Sequence, residues 1–501
     1  MYTFNSLNIL LASTEIILFG LIILFLLLSL LVGKTKELFL SKAFLTSLFV
    51  LGVYMVIDSF SNPTVEYGFN GMYVIDPISL FAKGFICIVF ALALLYCEQF
   101  LNLMKIPQSE FFLLSSFGLL GQFIMISASH LLTIYLGIEL LSLSLVSLVA
   151  LNRESSASIE AAIKFFVLAA LASGFLLYGI SMIYGATGTF QLNEIADQIL
   201  SDGANPIIVV FGLVFVVCGL AFKLGAVPFH MWVPDIYQGA ALPSTLLIGS
   251  TPKVAAVLMT YRILFDGFYP LLEDWQGMFV ILALLSLGLG NLVAILQKSF
   301  KRLMGYSTIG HVGFLVGAIA SMNYGLTENP VLESTVIMGL FAYIFVYLLS
   351  FLGALGCVLL LAKEEKISTD LISDLRFMIK ANPVVAWCMV LFMLSMAGIP
   401  PTIGFYTKFV ILESMVAADL VWLAVFAVLF SVVGAFYYLR IVKVILFDGM
   451  YINESVKKVQ LSFMSSAFLI INGSIILILG LFPDIMFEPV TRLVEFSFYS
   501  N

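Results

Sequence analysis

The run Ile16-Ile-Leu-Phe-Gly-Leu-Ile-Ile-Leu-Phe-Leu-Leu-Leu-Ser-Leu-Leu-Val32 has no charge and no period-two alternation. A strand of an outer-membrane barrel would alternate apolar and polar side chains. An unbroken apolar run of this length instead fits a helix, whose backbone satisfies its own hydrogen bonds in lipid. With its flanks the stretch extends from about Ile9 to Gly33. That is too long for a signal-peptide core and lacks basic residues ahead of it, so it reads as a retained transmembrane helix. Similar runs follow at about 41–60, 77–97, 110–129, 131–151, 159–184, 205–230, 241–265, 275–297, 301–322, 331–361, 383–412, 418–446 and 461–482. The composition agrees: of 501 residues 62% are apolar and 11% charged, about half the charged fraction of a soluble domain. The expected class is an all-α polytopic membrane protein of about fourteen spans.

The same composition excludes most chemistry within the chain. Three histidines and five scattered cysteines contain no Cys-x-x-Cys and no His-x-x-x-His pair, whereas iron–sulfur, haem and zinc sites need grouped thiolate or imidazole ligands. No phosphate-binding Gly-x-x-x-x-Gly-Lys-Ser/Thr loop is present. A net charge of −7 without a basic tract argues against nucleic acid. If the chain serves a redox enzyme, the electrons travel elsewhere. No soluble domain can be fitted, and the longest connections, about 185–204 and 362–382, hold at most a short surface helix.

The 23 Lys and Arg residues fall unevenly. Sixteen lie in or beside odd-numbered connections, among them Lys34, Lys36, Arg302, Lys363 and Lys366, and even-numbered connections and termini hold two, Arg262 and Arg492. The positive-inside rule puts odd connections on the cytoplasmic or matrix side and both termini outside.

The remaining five basic residues, Lys83, Lys164, Lys223, Lys253 and Lys408, lie within spans, as does Glu139. A charge at mid-bilayer costs roughly 2.5–3.5 kcal/mol, so such side chains face protein or water and commonly mark an ion route. Lys83 fits either that or a snorkelling side chain. Lys164, near the end of its span, could snorkel too, and it follows Glu160 by four residues, so a surface ion pair is a fair alternative. Glu139, Lys253 and Lys408 are too deep to reach headgroups, and Lys223 adjoins a helix break.

That break is Gly219-Leu-Ala-Phe-Lys-Leu-Gly-Ala-Val-Pro-Phe-His230, where Pro228 leaves the Leu224 carbonyl without its helical donor, next to Lys223. A second break, Ser395-Met-Ala-Gly-Ile-Pro-Pro-Thr-Ile-Gly-Phe-Tyr-Thr-Lys408, lies five spans later. Two broken spans, the seventh and twelfth, at an odd offset suggest inverted five-helix repeats (spans 4–8 and 9–13). The expected organisation is a three-helix segment 1–109, repeats 110–265 and 275–446, and a helix with short tail 447–501. Embedded lysines outnumber embedded acids, which favours protons over a metal cation bound by oxygen ligands, although Na⁺ stays open. His311, mid-span, reads as a relay or as a hydrogen-bonded core residue. His230 reads as interfacial.

Several of these stretches resemble one family. They are Tyr135-Leu-Gly-Ile-Glu-Leu-Leu-Ser142, Glu160-Ala-Ala-Ile-Lys-Phe-Phe166, Phe222-Lys-Leu-Gly-Ala-Val-Pro-Phe-His-Met-Trp-Val-Pro-Asp235, Pro252-Lys253, Lys301-Arg302-Leu-Met-Gly-Tyr-Ser307, and Ala397-Gly-Ile-Pro-Pro401 with Gly404-Phe-Tyr-Thr-Lys-Phe409. Together they are similar to the antiporter-like subunits of proton-pumping NADH:quinone oxidoreductase, respiratory complex I. Lys408 and the short tail favour the N type (subunit 2 in mitochondria). The resemblance implies Glu139 and Lys223 as a charge pair, Lys253 as central relay, Lys408 as the residue exchanging protons with the far side, and Lys164 near the input path. It implies that NADH, FMN, iron–sulfur clusters and quinone belong to partner subunits, with no cofactor in this chain. Its partners would be the lipid bilayer and the K-, M- and J-type membrane-arm subunits, in a bacterial inner membrane, or the mitochondrial one if organellar. Gln238, where the family commonly has glutamate, and Ala241-Leu242 depart from the pattern. Two other readings remain at this stage, a subunit of a multisubunit cation/proton antiporter and a structural membrane subunit without its own channel.

Overall fold

A computed structural model describes residues 8–31, 34–201, 203–322, 330–362, 370–448 and 456–498. Lys363 and Lys366 lie outside the described residues, as do the side chains of Lys34 and Lys36. The chain is almost wholly helical. The N-terminal segment consists of α1 (Ser13–Leu31), α2 (Lys34–Ser61) and α3 (Pro77–Leu103). Then come α4 (Gln108–Ser127), α5 (Leu131–Ala150), α6 (Ser156–Thr187), α7 (Leu192–Leu200), α8 (Pro206–Leu224), α9 (Trp232–Gly239), α10 (Leu242–Gly249) and α11 (Thr251–Arg262). The second half holds α12 (Leu272–Ile295), α13 (Phe300–Ala320), α14 (Pro330–Leu361), α15 (Met378–Ala381), α16 (Pro383–Ala397), α17 (Ile403–Ala417), α18 (Val421–Lys443), α19 (Phe463–Leu481) and α20 (Asp484–Phe498).

Local sequence explains many of the helix starts. Asp76 accepts from the Ser79 amide (2.8 Å) while the Ser79 hydroxyl accepts from the Asp76 amide (3.0 Å), a reciprocal cap that opens α3 at Pro77. Asn205 before Pro206 and Asn382 before Pro383 cap α8 and α16 one way, their side-chain oxygens accepting from first-turn amides. Among the described residues thirteen helical stretches are long and apolar enough to cross a membrane. They match the expected spans except the twelfth, which is split into α16 and α17, each of 15 residues. A short antiparallel hairpin, Glu66–Gly68 with Tyr73–Ile75, was not expected. It precedes α3, where turn-forming Asn70 and Gly71 take left-handed backbone angles.

Burial sorts the helices. The apolar windows of Leu242–Gly267 (α10 and α11) and of α13 are 100% and 94% enclosed by protein, whereas that of the first span is 28% enclosed. The interior is therefore built on α10, α11, α13 and α14, with α3 and α4 largely buried against it, and spans such as α1, α2, α6, α18 and α19 form a rim whose apolar side chains suit lipid. Small residues let helices of the second half approach closely: a Cβ on Gly290 of α12 would stand 2.6 Å from the Gly310 amide nitrogen of α13.

Two buried ion pairs correct the sequence reading. Arg262 is not in a connection; it ends α11, 3% exposed, with Nη2 2.6 Å from Asp76 and Nε donating to the Ile126 carbonyl (2.7 Å). The carboxylate that caps α3 thus neutralises the guanidinium. Lys83 does not snorkel. It is fully buried, 2.5 Å from Glu15 of α1 and 2.9 Å from the Tyr73 hydroxyl, which itself donates to Glu15 (2.9 Å). Glu15 was overlooked as an embedded acid because an acid in a helix's first turn looks like a partner for the helix dipole.

Candidate proton-relay site

The site is organised by two helix ends inside the protein. At the end of α8, Gly225 takes φ 80°, the Ala226 amide donates to the Ala221 carbonyl (2.8 Å), and the Gly225 amide donates to Phe222 (3.0 Å). At the end of α16, Gly398 takes φ 77°, the Ile399 amide donates to Leu394 (3.0 Å), and the Gly398 amide donates to Ser395 (3.0 Å). Both are closures in which a left-handed glycine satisfies the earlier carbonyls of the last turn. The final carbonyls stay free of backbone partners, and lysines take them. Lys253 Nζ donates to Leu224 O (2.6 Å), and Lys408 Nζ donates to Met396 O and Ala397 O (both 3.0 Å). The freed Leu224 carbonyl was expected beside Lys223. Its partner is Lys253, because the Lys223 side chain reaches instead toward α5, to Ser142 Oγ (2.9 Å) and the Ile138 carbonyl (3.5 Å).

Glu139 and Lys223 do not form an ion pair in this structure. Glu139 accepts from the Ser173 hydroxyl of α6, and Ser142, the partner of Lys223, lies one turn farther along α5. Glu139, half-buried, lies on the same stripe of α5 as the exposed Leu132, Leu136 and Leu143. The acid thus stands near the perimeter, one turn from the serine that Lys223 bonds.

Lys223 and Lys253 border one cavity of about 20 Å³, with Ser142 and Trp232 in its wall, enough for about one water. Trp232, which sequence reasoning passed over, fixes this region. Its indole N–H donates to Phe222 O (2.9 Å), its ring lies 5.1 Å from Lys253 Nζ, and it stacks on Phe165 at 5.1 Å. The available signal was its position, seven residues beyond the helix-ending glycine.

His311 and Lys408 meet at two cavities of about 10 Å³ each. His311 Nδ1 is 2.6 Å from the Tyr343 hydroxyl and Nε2 is 3.0 Å from that of Tyr438. Lys408 also bonds Ser431 Oγ (3.2 Å). Lys164 stands apart, half-exposed on α6, 2.8 Å from Glu160 and 3.5 Å from Asp235. Asp235 in turn holds Arg302 of α13 (2.8 Å), which also takes the Gln238 amide oxygen (3.2 Å). His230 is half-buried, and its Nδ1 has no hydrogen-bond partner. Among the described residues no three His, Cys, Asp or Glu side chains gather as a metal site would require.

Residues 128–434 match the sequence profile of the NADH:quinone oxidoreductase/Mrp antiporter transmembrane family. The chain belongs to this family. It is 45% identical over 95% of its length to NADH-quinone oxidoreductase subunit N of Nitrosomonas europaea, covering 97% of that protein. It is 44% identical to the subunit of the same name from Paraburkholderia phymatum, over 88% of each chain. Its fold superposes on a chain of respiratory complex I from Thermus thermophilus, solved with bound aureothin, with TM-score 0.76 and 26% identity, covering 95% and 98% of the two chains. Within this antiporter-like family, the two lysine-capped helix ends lie inside the matched region.

Proposed function

We propose that this chain is a proton-translocating membrane-arm subunit of an NADH:quinone oxidoreductase, moving protons along Glu139, Lys223, Lys253, His311 and Lys408 with energy released by quinone reduction in partner subunits. The observation that carries the reading is that Lys253 and Lys408 are each sunk in protein against the carbonyl end of a broken helix. The partial negative charge there favours the ammonium form, while burial opposes it. Opposing terms of this kind leave a lysine responsive to charges that move nearby. When Glu139 swings from Ser173 toward Lys223, it stabilises a proton on Lys223. When it withdraws, that proton passes across the small cavity to Lys253, and a charged Lys253 in turn disfavours a proton on its neighbour. NADH, FMN, iron–sulfur clusters and quinone belong in this reading to the partners.

The like closures of α8 and α16 support two inverted repeats, with one difference: Lys223 precedes its break by two residues and Lys408 follows its own by ten. At the α8 break the carbonyl end is held by Lys253 of the next span, whereas at the α16 break it is held by Lys408 of the same span. Glu139 at the rim suits contact with a neighbouring membrane-arm subunit. The charge asymmetry supports a cell inner membrane with both termini on its outer side.

The test is the assembled complex in proteoliposomes. Lys253→Met and Lys408→Met are expected to abolish most redox-driven proton uptake, Glu139→Gln and Lys223→Met to do likewise, and Lys164→Ala to act more weakly. Wild-type proton-to-electron ratios in normally assembled Lys253→Met and Lys408→Met complexes would falsify the relay. Purification without flavin or iron–sulfur partners would point instead to a cation/proton antiporter.

A further inference from the structure

Between the Lys253 region and His311 the protein interior offers no carboxylate and no lysine among the described contacts, yet it is rich in hydroxyls. The span that carries Lys253 is interrupted at Ser250, so α10 ends at Gly249. Its carbonyl accepts from the Tyr347 hydroxyl (3.3 Å), and that hydroxyl is 2.9 Å from Thr308 Oγ1. One turn along α14, Tyr343 reaches His311 Nδ1, and Tyr438 closes the other side of the ring and contacts Ser307. The Tyr237 hydroxyl also converges on Gly249: a Cβ there would stand 2.7 Å from it and 2.2 Å from Phe351 Cζ, so glycine makes the space. This hydroxyl is buried and stands beside Thr308.

We propose that Tyr347, Thr308 and Tyr343, with Tyr237 beside them, form the crossing that carries protons from the Lys253 site to His311. The proposal rests on the relay reading above. A hydroxyl both donates and accepts, so each oxygen takes one proton as it gives up its own, and the step from Tyr347 to Tyr343 crosses the cavity of about 10 Å³ that both line with His311. No electron moves and no tyrosinate accumulates. In its Nε2–H tautomer His311 gains a proton at Nδ1 from Tyr343 and loses one at Nε2 to Tyr438, which gives up its own hydroxyl proton across the cavity it lines with Lys408 to the neutral Lys408 amine. The chain of hydroxyls then reverses its hydrogen-bond direction before the next proton.

The decisive comparison is Thr308→Val with Thr308→Ser, alongside Tyr347→Phe, in the assembled complex. Valine matches threonine in shape without the hydroxyl, and serine keeps it. Proton transfer through the crossing is expected to fall on the order of 10²-fold in Thr308→Val and Tyr347→Phe. Redox-driven proton uptake should fall with it, and Thr308→Ser should restore it. Unchanged uptake in both hydroxyl-free variants overturns the crossing, as does equal loss in Thr308→Ser and Thr308→Val, which would reveal packing alone. If either of the first two variants fails to assemble, the other decides. Lys253→Met run in parallel separates the two ideas: with uptake lost in that variant and intact in Thr308→Val and Tyr347→Phe, the relay stands and only this crossing falls.

Discussion

Lys83 and Lys408 are both sunk in the protein, but their partners differ in kind. Lys83 faces a carboxylate at 2.5 Å and a phenol at 2.9 Å, whereas Lys408 faces two carbonyls and a serine hydroxyl. The first is a full charge pair that ties α1 to α3. The second leaves a single formal charge balanced by dipoles. Removing one member of a buried pair strands the other, at a cost of about 3–5 kcal/mol. Lys83→Met is therefore expected to lower the thermal stability of the solubilised complex, and adding Glu15→Gln should recover much of the loss, since a neutral amide can stay buried and still bond Tyr73. A melting series of the wild type, both single variants and the double variant checks this; additive losses would show that the pair does not act as a unit. Sequence alone exposed Lys83 and left its role open. The partner Glu15 is 68 positions away, and no local pattern joins the two.

At the level of helices, the breaks were legible and their wiring was not. Pro228 and the Gly398–Pro401 stretch mark where α8 and α16 must end, because proline cannot continue the ladder and glycine alone takes the left-handed turn without strain. Which lysine meets which freed carbonyl depends on how α11 and α17 pack, and that is a tertiary property. The positions of the glycines now yield a quantitative expectation. An alanine at residue 398 pays about 1–2 kcal/mol for its left-handed backbone, and its Cβ would lie 2.7 Å from Lys408 Cδ. Gly398→Ala should therefore impair proton uptake more than quinone reductase activity measured with an uncoupler, by displacing the lysine from its carbonyls. Gly225→Ala is expected to do the same through Val233, 2.8 Å away, and Lys253 Nζ, 3.3 Å away. Equal loss of both activities would indicate a folding defect instead.

For the molecule as a whole, the fourteen apolar runs forecast the architecture closely, the break in the twelfth included, and the hairpin was the departure. The hairpin is too short to announce itself. A surface contact joins the two halves: Asp235 holds Lys164 of α6 and Arg302 of α13 at once. These side chains are partly exposed, so Asp235→Asn should change stability by less than about 1 kcal/mol, visible as a small melting shift that added salt further reduces. The position of Glu139 has a consequence for biogenesis. Glu139 is half-buried beside the exposed leucines of α5, and a charged side chain left against lipid at mid-bilayer costs roughly 2.5–3.5 kcal/mol. A neighbouring protein that covers this stripe removes that cost, so insertion of this chain and docking of its neighbour are expected to be coupled, with the lone copy accumulating less in the membrane than the assembled one.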